Sequence, residues 1–230
     1  VERRGDLLLV DKPAELASEP TQFGGGSSVT EQLAAVLGSS VHVHSRLDVG
    51  VSGLALVALG DRARQHVERL RAHRGYHRQY LALASGAHAN DAGVWRGKLG
   101  KGRAERDAET RYRVIERVVH AGAPSTLTLL ALTPITGRTH QLRAHAAAAG
   151  TPLLGDKRYG GVQRLVDSNG GVVGLTRIML HAVRVELTDV TGQPWRVVLP
   201  PPHAFTDSWT TVGGSHESLS AACSLDLLDT

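Results

Sequence analysis

The chain has 230 residues, 41% of them hydrophobic, and carries 26 Lys and Arg against 22 Asp and Glu, a net charge of +4. That is enough apolar material for one large core or two small ones, and one compact domain is the expectation. A single cysteine, Cys223, excludes an internal disulfide and favours a reducing, cytoplasmic setting, and the lack of an 18-residue apolar run or a signal-peptide pattern excludes a spanning or exported chain.

Asp6–Val10 reads as a short buried strand that stops at Lys12-Pro13, where proline fixes φ and removes a donor. The run 24-GGGSS-28 lacks the Gly-Lys-Ser/Thr ending of a phosphate loop and reads as a flexible connection. Ser28–Leu37 follows as a capped helix closed by Gly38. Leu54–Leu59 is an uncharged, buried strand, after which Asp61 can cap a helix through Arg74 whose apolar stripe is narrow, mainly Val67 and Leu70. Further strands are predicted at Tyr80–Ala84, Arg111–Val119, Thr126–Thr133, His181–Leu187 and Pro194–Leu199, with one more helix, Arg138–Ala149, ended by Gly150. Glycines and charges in 84–108 make that stretch a loop or hairpin. The small, acidic residues near the end read as a mobile tail, so the division is a main folded segment over 1–204 and a tail over 205–230. The sequence begins at Val1, and an upstream segment is expected before it. Strands outnumber helices without regular β-α-β alternation, which favours an α+β fold on a large, mostly antiparallel sheet.

Only Lys12, Lys98, Lys101 and Lys157 are lysines, so the basic side chains are nearly all guanidinium forks, suited to phosphates and stacked bases. Residues 62–117 hold fourteen Lys and Arg against six Asp and Glu. A basic surface there would attract a polyanion, although solvated charges on an arginine-rich protein give the same composition.

Twelve histidines raise the question of a metal. His42 and His44 share a strand face with no acidic or cysteine cluster nearby, and His140 and His145 are badly spaced for one helix face, so no metal site is expected. No Gly-x-Ser-x-Gly elbow is present, which argues against a serine hydrolase. What remains is the carboxylate Asp48, two residues from Arg46 in 46-RLDVGVSGLALVA-58, and the segment 134-PITGRTHQLRAHAAAAGTPLLGDKRYGG-161 with Arg138 and Arg143. Taken alone, Asp48 can be a turn residue, Arg143 a helix-surface arginine and Tyr80 an ordinary strand tyrosine.

Together, 46-RLDVGVSGLALVA-58, Tyr80-Leu-Ala, 137-GRTHQLRAH-145, 150-GTPLLGDKRYGG-161 and 178-IMLHAVRVEL-187 resemble the RluA-type pseudouridine synthases, and the resemblance runs from 7-LLLVDKP-13 to about Pro202. It implies a single catalytic domain with a mixed sheet, flanking helices and a central cleft. It implies isomerisation of uridine in ribosomal or transfer RNA, at a uridine-containing stem-loop: the bond from C1′ to N1 breaks, the uracil turns and C5 takes its place. It makes Asp48 the nucleophile or base, Arg143 the guanidinium that keeps Asp48 ionised and Tyr80 the aromatic face under the flipped uracil. It gives substrate contact to Arg46, Arg138, His140, Gln141 and Leu142, although Arg46 can equally form a salt bridge with a nearby acid. The reaction is redox-neutral, so no cofactor and no metal are implied. No membrane contact is implied, and a monomer is expected.

Three features depart from the family pattern. Ser45 stands where His usually precedes Arg-Leu-Asp, Gly50 and Val51 replace an acid and a threonine that brace the turn, and the segment from Tyr80 to Arg111 is short. The alternative is a catalytically impaired RNA-binding or chaperone protein of the same fold. Asp48 argues against it, because a pure binder of a polyanion gains nothing from a carboxylate facing its ligand. A glycosidase would need a second carboxylate opposite Asp48, and Asp156, the one acid in the other strong motif, has the context of a structural turn with local pairing.

Overall fold

The uncharged run after Gly53 is a strand whose two faces are both covered, and it anchors the architecture of the computed structural model, which describes residues 2–20, 27–100, 102–119, 125–167 and 169–225. Gly24, Gly25 and Gly26 of the expected flexible connection lie outside the described residues. In chain order the elements are β1 (Glu2–Arg4), β2 (Leu7–Lys12), α1 (Val29–Leu37), β3 (Val41–Val43), β4 (Ser52–Leu59), α2 (Gly60–Ala72), β5 (Tyr76–Ser85), β6 (Ala92–Leu99), β7 (Arg106–Val119) and β8 (Thr126–Pro134). They continue as α3 (Gln141–Ala148), β9 (Arg164–Val166), β10 (Val172–Gly174), β11 (Leu180–Thr188), β12 (Pro194–Val198), α4 (His203–Thr211) and α5 (His216–Ser224). By its internal packing the chain divides into two compact units, one from 1–78 with 182–199 and the other from 79–181 with 200–230.

In the first unit β1, β2, β4 and β11 lie side by side, with β3 added to β4 and β12 to β11. The named pairings are antiparallel, and Leu7 faces Ala58 while Lys12 faces Gly53. One face of β4 puts Leu54, Leu56 and Ala58 against Leu7, Leu9, Val185, Leu187, Trp195 and the α2 residues Ala63 and Val67. The other puts Val57 and Leu59 against Leu8 and Val29 of α1. A strand covered on both sides needs apolar residues at every position, which is why no alternation shows in its sequence. Each large side chain so buried contributes roughly 1.5–3 kcal/mol. Gly53, at φ 115, is required where β4 begins, since a Cβ there would overlap the backbone of Ala182.

Helix α1 starts with a capping box, Ser28 and Glu31 each reaching the other's backbone N–H, and ends at left-handed Gly38, as expected from the sequence. Helix α2 differs from expectation. Its N-cap is Leu59, without a side-chain bond, and Asp61 sits inside the first turn, where it pairs with Arg64 at 3.2 Å.

In the second unit the strand order is β5-β8-β7-β6, again antiparallel, with β9 and β10 as a separate hairpin. The stretch read as a loop or hairpin is largely the β6–β7 hairpin. Helix α3 is shorter than the predicted Arg138–Ala149, because His140 adopts a left-handed φ of 55° and the chain before it is a loop. In the stretch expected to be a mobile tail, residues 203–211 and 216–224 are helices, with Phe205 and Trp209 fully buried and Leu219 and Ala222 also buried. Asp226 to Thr230 lie outside the described residues. The α+β class and the mostly antiparallel sheet agree with the sequence reading. Among the described residues no helix is long and apolar enough to cross a membrane.

Candidate active site

Asp48 lies in the first unit, on the turn between β3 and β4. The Val51 N–H donates to the Asp48 carbonyl at 2.9 Å, closing a turn over Val49 and Gly50. Leu47 and Val51, on either side of the turn, are buried and Asp48 is half-buried, so apolar anchors hold a carboxylate at the rim of the core. Val51, standing where the family has a threonine, thus secures the turn by burial. Ser45 does so by bonding: its buried Oγ accepts the Leu56 N–H at 2.6 Å, while the His44 N–H donates to the Leu56 carbonyl. A second loop grips the other flank, with the Glu15 N–H on the Val49 carbonyl at 2.6 Å and Ser18 on Leu47.

Arg46 points to solvent, its side chain 69% exposed, with Glu19 3.5 Å away. An exposed pair at that distance is worth about 0–1 kcal/mol, so a stronger anion can displace Glu19. Nearby, burial and then the Arg71 guanidinium push His44 down to about 4, so its imidazole is neutral at pH 7.

The second unit holds the other sequence candidates. Tyr80 on β5 is in register with Leu132 on β8, which is in register with Tyr112 on β7, so the three share a face. Thr110, two residues from Tyr112, bonds to α3 residues, so Tyr80 lies on the sheet face that carries α3 and Arg143. Tyr80 is itself buried.

Arg143 is also buried. Its Nε and Nη2 donate to the two oxygens of Asp156 at 2.6 and 2.8 Å, a bidentate fork, and its guanidinium lies over the Tyr159 ring at 5.1 Å. Asp156 also accepts the Tyr159 N–H at 3.3 Å, so one carboxylate orders both the arginine and a tight turn. The approach depends on Gly155, at φ 75, where any Cβ would overlap the Arg177 carbonyl. The Tyr159 hydroxyl is 3.3 Å from His140 Nδ1, and His140 sets its ring edge against Tyr159. Asp156 has the local pairing expected of it, and what the sequence did not reveal is that Arg143 is its partner. The signal was the arginine itself, since a guanidinium on the inner face of a helix requires a carboxylate.

Gln141 was assigned to substrate by the resemblance. Its amide is filled from within: the oxygen accepts Thr136 Oγ1 at 2.7 Å and the Arg138 N–H at 3.0 Å, and the nitrogen donates to the Glu109 carbonyl and Thr110 Oγ1. Both donors and both acceptor sites are used, so Gln141 acts by holding the 136–138 loop against β7. Leu142 is buried beside it. Arg138 is exposed, with its Nε on the Asp107 carbonyl at 3.0 Å. Thr110, which no sequence motif marks, is fully buried; it accepts from Gln141 and is hydrogen-bonded to His145 Nδ1 at 2.9 Å. Burial pushes the pKa of His145 down, as it does for His88. No group of three His, Cys, Asp or Glu side chains among the described residues is placed to hold a metal ion.

Residues 6–148 match the family described as RNA pseudouridylate synthase. The chain belongs to that family. As a pseudouridylate synthase family member it is 31% identical over 210 residues to ribosomal large subunit pseudouridine synthase C of Vibrio vulnificus (strain CMCP6), covering 84% of this chain but only 62% of that relative. It is 32% identical over 205 residues to the dual-specificity RNA pseudouridine synthase RluA of Haemophilus influenzae, covering 81% of this chain and 85% of the relative. The solved structure of human RNA Pseudouridylate Synthase Domain Containing 1 has the same fold, with a TM-score of 0.71 at 25% identity and coverage of 98% of this chain and 94% of that one. The family fold and the RluA-type resemblance therefore stand on sequence and structure alike.

Proposed function

We propose that this protein isomerises uridine in RNA to pseudouridine, with Asp48 as the group that acts at the ribose. The supporting observation is the placement of Asp48: a half-buried carboxylate on a turn held at Ser45, Leu47, Val49 and Val51, inside a matched family segment. A chemical group that must meet C1′ needs such a mounting, since misplacement by about 1 Å can cost ~100-fold in rate.

In the reaction Asp48 either attacks C1′ or removes a proton from the sugar, and the C1′–N1 electron pair leaves with the uracil. The uracil turns and C5 bonds to C1′ as the Asp48–C1′ bond breaks or the sugar proton returns; C5 then gives up its proton and N1 takes one, so the product is an isomer of the substrate. Both halves of the nucleoside stay bound, so nothing is oxidised or reduced. Arg143 is proposed to balance the charge of the Asp48 carboxylate in the reaction, with its Nε–Nη2 edge committed to Asp156. Tyr80 is proposed to stack the flipped uracil, a contact worth about 1–3 kcal/mol, and Arg46 with Arg138 and His140 to meet the RNA. The substrate is ribosomal or transfer RNA, met at a uridine-containing stem-loop by a monomer in the cytoplasm.

The test is tritium release from ribosomal and transfer RNA carrying [5-³H]uridine, comparing this protein with Asp48→Asn. Release by the parent and none by the variant, at unchanged RNA affinity, is the expected result. Binding without release by either protein would instead identify an RNA binder of the same fold.

A further inference from the structure

We infer that Ser18 is a positioning residue for Asp48, an inference that rests on the isomerase reading above. Leu47, the residue before Asp48, has a buried backbone outside any strand, so its N–H and C=O have no ladder to join. One hydroxyl serves both. Ser18 Oγ donates to the Leu47 carbonyl at 2.8 Å and accepts the Leu47 N–H at 3.0 Å, across 29 residues of chain. On the far side of Asp48 the same loop acts again through the Glu15 N–H on the Val49 carbonyl. The peptide units before and after the carboxylate are therefore gripped by one segment.

That segment is itself anchored. The buried Lys12 ammonium donates to the Pro13 and Leu16 carbonyls at 2.8 and 2.7 Å, and the Ala17 and Ser18 carbonyls accept the Val29 and Thr30 N–H groups that open α1. Glu15 is held at φ 75, a left-handed conformation that a side chain resists and that surrounding contacts must enforce. Strain kept next to a reactive carboxylate, together with a hydroxyl spent wholly on its neighbour's backbone, marks a loop shaped to aim Asp48.

The experiment measures kcat and KM for tritium release from [5-³H]uridine-labelled RNA with the parent, Ser18→Ala, Ser18→Thr and Ser215→Ala. Hydrogen exchange at the Leu47 amide and melting curves accompany the kinetics. Ser215→Ala removes the N-cap of α5 and lowers stability without touching the Ser18 loop or its anchors. The expected result is a fall in kcat of roughly 10–100-fold for Ser18→Ala with KM unchanged. Leu47 exchange should be faster, Ser18→Thr should restore turnover, and Ser215→Ala should melt lower yet turn over normally. Equal turnover by Ser18→Ala and the parent would overturn this inference alone, as would a matching kcat loss in Ser215→Ala. No release by the parent would overturn the isomerase reading and this inference with it.

Discussion

Arg143 and Asp156 are 7% and 1% exposed at their side chains, and taking two charges that far from water is costly. Their attraction and the fork geometry offset the cost only while both are present. Asp156→Asn keeps the shape and removes the charge that faces a buried guanidinium. It should lower the unfolding free energy by about 3–5 kcal/mol, read from the urea midpoint at unchanged slope. A loss under ~1 kcal/mol would mean that Arg143 finds another anion. At this scale the sequence was partly legible. Arg143 and Asp48 stood out because their motifs carry chemistry, but the pairing of Arg143 with Asp156 follows from no spacing rule. Gln141 misled because a motif records that a residue is needed, not whether it faces ligand or backbone. Ser18 and Thr110 were invisible, since a buried hydroxyl that satisfies distant backbone or amide groups looks like any other Ser or Thr.

Among the elements, the last two helices depart most from the sequence reading, and their anchor explains why. A β-bulge between Val114 and Glu116 turns Glu116 out of the β7 alternation. One of its oxygens accepts Trp209 Nε1 at 3.2 Å, the Ser215 N–H at 3.1 Å and the Ser218 hydroxyl. Burial pushes this carboxyl upward, but those bonds outweigh it and hold it below its usual range, so the clasp weakens as pH falls below about 4.5. The tail composition of small and acidic residues resembles disorder, and what orders it lies 99 residues upstream of Ser215. Glu116→Ala should make chymotrypsin cleavage at Phe205 and Trp209 faster by ~10-fold or more, the equivalent of about 1.4 kcal/mol, while the β6–β7 hairpin stays protected. Unchanged cleavage would place the anchorage of α4 and α5 in their apolar residues alone. The strands, by contrast, were read well, because long apolar runs between glycines and prolines carry their own signal.

At the scale of the molecule, His44, His88 and His145 are held below their ordinary pKa, with burial the leading cause in each. The unfolded chain takes up protons at these sites near pH 6.5 while the folded chain does not, so stability is full above about 6.5 and declines as pH falls, for His44 down to about 4. The carboxylates with lowered values begin to lose their contribution only below about 4.5, so a fall in urea stability between pH 6.5 and 4.5 belongs to the histidines. A stability profile flat across that interval, or a slope unchanged in His44→Gln, would show that these rings titrate normally in the fold. The fold class was legible from its strands, whereas the two-unit division was not, because it depends on where 182–199 returns. That return sets a timetable for a ribosome making the chain. Val185, Leu187, Trp195 and Val197 belong to the same core as Leu7 and Leu54, so the apolar faces of Leu7 and Leu54 stay uncovered until the strands over 180–198 have emerged. At ~5–20 residues per second the wait is on the order of ten seconds, and for that time this half of the core is open to solvent.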